Sequence, residues 1–117
     1  MASTFIKLPA IIGVQQGLQQ TLVDSANISW DLTFGNGVIT LTDDRVLDNP
    51  SNLSAGQSYI LIVKQDATGS RSLTYGAAYK WFGGIVPVLS TAANSIDIIT
   101  FYCDGTDMFG SIQRGFA

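Results

Sequence analysis

Histidine and glutamate are both absent from this chain of 117 residues, and cysteine occurs once. Without histidine the commonest general base and metal ligand is missing. Ser-His-Asp and Cys-His nucleophile systems are therefore excluded. Cys103 has no partner for an internal disulfide or a cysteine-rich metal site, and it reads as a small buried hydrophobe on a strand. Charge is scarce too: Asp, Lys and Arg make up 13% of the chain, against a usual value of about 25%. The six basic residues are scattered from Lys7 to Arg114 and the net charge is -3. No basic patch exists to neutralise phosphates, so nucleic-acid binding is excluded. Long apolar runs are also missing. None approaches the ~18 residues that would span a bilayer, so no membrane insertion is expected. Lys7 falls late and Pro9 interrupts the place of an apolar core, so the N-terminus does not read as a signal peptide. Synthesis in a cytoplasm follows as an expectation.

What remains describes a turn-rich β protein. All nine acidic residues are Asp, which prefers turns and caps to helix interiors. Twelve glycines and many Thr, Ile, Val and aromatic residues point the same way. Hydrophobic residues form 46% of the chain, enough for the core of one domain. With few charges and a mean hydropathy of +0.27, the surface is expected to be covered by further copies of the chain.

Strict alternation over Ile28 to Phe34 predicts a strand burying Ile28, Trp30, Leu32 and Phe34. Gly35-Asn36-Gly37 then predicts a hairpin into Val38 to Thr42. Asp43 to Gln57 reads as a long loop. Tyr59 to Val63 is apolar throughout and predicts a central strand covered on both sides. Asp66 to Ser70 turns the chain into Arg71 to Tyr75, and Ala78 to Phe82 is a short strand. Ser95 to Cys103, the turn Asp104 to Asp107 and Met108 to Gln113 form a second hairpin. About seven strands at this spacing predict an all-β, antiparallel β-sandwich, jelly-roll-like, as a single domain over residues 26–117. Residues 1–25 are expected to form an N-terminal arm or attachment segment. Apolar spacing in residues 11–23 suits a helix face, whereas Gly13 and Gly17 suit an extended arm, and both readings stand.

Candidate chemistry is thin. Asp43-Asp44 and Asp104/Asp107 are the only close carboxylate pairs, and both read as turn residues. The run Asp43 to Asn49 lacks the alternating oxygen ligands of a calcium-binding helix-loop-helix site. Gly83-Gly84 is not followed by Lys-Ser/Thr, so it is no phosphate loop. Trp81-Phe82 and Tyr75/Tyr79 could stack sugars, but packing in the core or a subunit interface is the preferred reading. No catalytic, cofactor-binding or metal residue is assigned, no cofactor is expected, and the chain is expected not to be an enzyme.

Gly56-Gln57-Ser58, the strand ending in Gln65-Asp66, Thr68-Gly69 and Arg71 form an ordered set of motifs. They continue through Tyr79-Lys80-Trp81-Phe82-Gly83-Gly84, Pro87-Val88-Leu89-Ser90 and Ser95-Ile96-Asp97-Ile98. Over residues 28–110 the chain resembles a small β-sandwich module of tailed-bacteriophage virion proteins, of head-decoration (cement) or tail-fibre-tip type. The resemblance implies a structural protein on the virion surface, commonly a homotrimer. The first expectation is a capsid decoration protein that binds and stabilises the major capsid shell. The alternative is a tail-fibre adhesin or receptor-binding module, and a virion-associated glycan hydrolase comes last. The expected partners are the chain itself and the major capsid protein or another virion protein. Residues 66 and 71 sit across a turn at a separation that permits an ion pair.

Overall fold

A computed structural model describes residues 18–116. Nine strands form: β1 (Gln19–Thr21), β2 (Asn27–Ile28), β3 (Asn36–Leu41), β4 (Arg45–Leu47), β5 (Gln57–Gln65), β6 (Leu73–Tyr75), β7 (Tyr79–Trp81), β8 (Ile96–Cys103) and β9 (Met108–Phe116). They make a six-stranded sheet ordered β1-β3-β5-β8-β9-β7 and a three-stranded sheet ordered β2-β4-β6. Ile28, Leu47 and Leu73 from the small sheet share one core with Ile39, Leu41, Leu61, Val63 and Ile99 from the large one. This is the expected all-β sandwich.

Strand direction is mixed. Only β5–β8 and β8–β9 are antiparallel. The pairs β1–β3, β3–β5, β2–β4, β4–β6 and β7–β9 are parallel. From β1 to β6 the chain alternates between the two sheets and returns each time beside its previous pass. It therefore winds as a short parallel coil, unlike the hairpin-built path of a jelly roll. An isolated parallel bridge from Asp31 to Ser51 stitches the connecting segments of two passes. The β8–β9 hairpin then closes the large sheet.

The expected hairpin at Gly35-Asn36-Gly37 does not form, for a local reason. Asp31 accepts a hydrogen bond from the Thr33 N–H at 3.0 Å and caps a 3-10 turn over Leu32–Phe34. Gly35 alone adopts positive φ, at 88°, whereas the tight hairpin turn needs it at both central residues. Trp30 Nε1 and Gln20 Nε2 both donate to the Gly35 carbonyl. The Asn36 N–H donates to Leu18 O, which sends β3 alongside β1. Ile28, Trp30 and Leu32 are buried as the alternation predicts, but Phe34 beyond the cap is exposed.

Three more expectations change. The loop from Asp43 to Gln57 contains β4. β5 is central, but only alternate residues are buried: Tyr59, Leu61 and Val63 face the core while Ile60 is exposed. β9 runs on to Phe116. Of the segment expected as an arm, residues 1–17 lie outside the described residues. At its C-terminal end Gln19–Thr21 is β1, and Leu22 is buried in the core.

Candidate interaction surface

The residues singled out by motif divide into scaffold and surface. Gln65 is buried at the end of β5. Its amide nitrogen donates to Arg71 O and Ser90 O, and its oxygen accepts from the Arg71 N–H at 2.9 Å. Asp66 accepts from the N–H groups of Thr68 and Gly69 and pairs with Arg71 at 3.0 Å. The Arg71 hydrogen bond holds its carboxyl below the usual carboxylate range. Gly69 takes φ 77°, and a Cβ there would meet Thr91 O at 2.6 Å. The Gln-Asp…Gly…Arg motif is thus a clamp that shapes one turn and binds it to the Ser90 loop.

The carboxylate pairs serve the backbone, Asp104 within its own turn and Asp44 across to a neighbouring pass. Asp44 accepts from the Ser72 N–H, Asp104 accepts from Thr106 and Asp107 N–H groups, and these bonds lower both pKa values. Asp97, buried on β8, joins the Ser90 N–H to the Gly115 N–H and so ties the Ser90 loop to β9. Asp24, at the end of the expected arm, pairs with Arg45 at 2.9 Å.

Tyr75, Tyr79 and Trp81 pack with one another and with Phe101. Burial drives both tyrosine hydroxyls far above their ordinary pKa. Tyr79 lies in the core and Tyr75 and Trp81 pack against it, the packing role preferred from sequence. Cys103 is fully buried on β8. Gly83 and Gly84 both hold positive φ in open space, so backbone conformation rather than ligand approach selects glycine there.

Phe82 is different. It is 86% exposed, and the extended segment after it exposes Ile85 (74%) and Val88 (71%) as well. Hydrophobic residues normally scatter singly over a surface, so a contiguous apolar run signals contact with a partner. Arg114 Nη1 donates to Val88 O at 3.0 Å and holds the segment beside β9. Trp81, Phe82, Ile85, Val88, Ile112 and Arg114 line an open apolar groove there. Sequence alternation could not reveal it, because the segment is not a strand. The signal available was Gly83-Gly84 followed by Ile85, Val86 and Val88 with no charge among them.

Residues 31–108 match a family model described as "Putative phage tail fibre C-terminal domain". The chain belongs to this family of phage tail-fibre C-terminal domains. It is accordingly a bacteriophage structural protein and a virion component. The match gives no support to capsid decoration and fits the tail-fibre alternative better. No curated protein and no solved structure matches. Within the tail-fibre domain the matched span runs from the Asp31 cap to the start of β9. It takes in the Gln65 clamp and the Phe82–Val88 segment. Among the described residues no helix is long and apolar enough to cross a membrane.

Proposed function

We propose that this chain is the receptor-contacting module of a phage tail fibre, that it acts as a homotrimer on the virion surface, and that it works by binding without catalysis. The family match carries this reading. It is supported by the uncharged apolar segment Phe82–Val88, which projects large side chains beside an open groove. Binding of this kind needs no general base, and the chain has no histidine. The carboxylate pairs at Asp43-Asp44 and Asp104/Asp107 serve as turn residues in this reading. Three copies would present three such segments, and linked sites raise avidity by orders of magnitude over a single contact.

The test is adsorption of phage carrying Phe82→Ser together with Ile85→Ser. Both side chains are exposed, so the fold should persist and the purified double variant should unfold at the wild-type urea midpoint. Adsorption should fall at least tenfold. Wild-type adsorption by a particle with this double change would overturn the reading. Antibody labelling of the chain should decorate fibre ends, and regular labelling over the shell would equally defeat it.

A further inference from the structure

The large sheet has two faces, and the described residues cover only one. Side chains of directly paired residues share a face. The register sets one outward row as Thr21, Val38, Ile62, Ile98 and Gln113 across five strands. A second outward row reads Ser58, Tyr102, Phe109 and Lys80. Between them lie Ile60, Thr100 and Ser111. Ile60, Tyr102 and Phe109 are exposed. Beyond the first row come Thr40, Lys64, Ile96 and Phe116. All nine aspartates lie elsewhere: in loops, turns and caps, or, for Asp97, on the inward side of β8. This outward face is rich in Ile and aromatic residues and free of aspartate side chains.

We infer that copies of this chain meet through this outer face of the six-stranded sheet. Around a three-fold axis the same face of each copy turns inward; without carboxylates these faces gather no acidic side chains, and the two lysines sit in different rows near opposite margins. Size is adequate too. The four central strands β3, β5, β8 and β9 run six to nine residues. At ~4.8 Å between strands and ~3.3 Å per residue they span roughly 500 Å² of sheet, which projecting side chains and the flanking β1 and β7 enlarge toward the ~800 Å² per partner of a standard interface. Val38, Ile62 and Ile98 form one apolar row, Tyr102 and Phe109 add aromatic rings in another, and Ile60 lies between them with Thr100 and Ser111. This surface adjoins the Phe82–Val88 segment at Phe109 and Ser111, which line one pocket with Phe82, and the inference leaves Ile85 and Val88 to a receptor. The inference rests on the self-association proposed above and names the surface that performs it.

The experiment uses the full chain at micromolar concentration, with light scattering for mass and a nitroxide attached at Thr100→Cys for local contact. Thr100 is exposed on this face and Cys103 is buried, so labelling is selective. Wild type should scatter as three chains and hold the label immobile. Ile62→Asp and Ile98→Asp should each scatter as one chain with a mobile label and retained near-ultraviolet dichroism, whereas Phe82→Ser should remain assembled. Three chains with a mobile label, or an assembly indifferent to Ile62→Asp, would overturn the surface and leave self-association standing. A monomeric wild type would overturn self-association itself. An immobile label in that monomer would mean that residues 1–17 occupy the face, against the inference. If Ile62→Asp failed to fold, label mobility in the wild type would decide alone.

Discussion

Trp30 sits at the centre of the core, 1% exposed, with its ring edge-on to Tyr59 at 6.3 Å and Phe101 at 5.7 Å. Its indole N–H donates to Gly35 O at 3.0 Å, so the same side chain fills the core and fixes the turn into β3. Trp30→Ala should cost about 3–5 kcal/mol, the range for deleting a large buried aromatic. A urea midpoint equal to wild type would contradict that placement. Gly37 carries a different constraint. It does not belong to the positive-φ residues. It lies within β3, where a Cβ would come 3.0 Å from Leu61 Cδ1 and 3.1 Å from Leu22 Cδ1. Gly37→Val should therefore destabilise by overpacking, about 1–3 kcal/mol. A hairpin turn with positive φ at Gly37 would also make Gly37→Val costly, and Leu22→Ala separates the two causes. Space made by Leu22→Ala should relieve part of the Gly37→Val loss in a double-mutant cycle, and strict additivity would reject overpacking.

The turn between β5 and β6 is where the sequence motifs and the structure agree most closely. Asp66 serves two backbone N–H groups and Arg71 at once, and its pKa is lowered in the fold. Asp24, Asp31, Asp44 and Asp104 are lowered as well, each by hydrogen bonding. A carboxylate with a depressed folded-state pKa contributes stability that is present above the unfolded value of ~3.9 and lost as pH falls through the folded value. Stability should thus drop on acidification below about pH 4. Asp66→Asn should shrink that acid-limb loss, measured as urea midpoints between pH 7 and pH 2, and an unchanged pH profile would count against the clamp. β5, β7, β8 and the Asp104–Asp107 turn are legible because runs of apolar and β-prone residues and turn chemistry are local signals. β2 and β4 are not. Strands of two and three residues are too short to show a period, and parallel partners leave no turn signal between them. The coil leaves no repeat in the sequence because its passes differ in length. Gln19 pairs with Asn36 but Gly37 pairs with Leu61. For the contact surface, Phe82 and Ile85 were visible as residues, but only the fold shows them exposed.

For the molecule as a whole, the family match places it on a virion, and the coil decides how it must come into being. Every parallel pair joins segments far apart along the chain, and among long ladders only β8–β9 joins neighbours through a tight turn. The hairpin can form in roughly 1–10 μs, whereas domains dominated by non-local pairing fold in milliseconds to seconds. Stopped-flow refolding monitored by tryptophan emission should accordingly show a dominant phase in the millisecond-to-second range, and completion within microseconds would be incompatible with the coil. During that interval the edges of β3 and β5 are unpaired templates for any neighbouring chain. Where many such chains fold at once, the yield of native protein is a race between winding inward and joining a neighbour. Dilution and lower temperature during expression should favour the first.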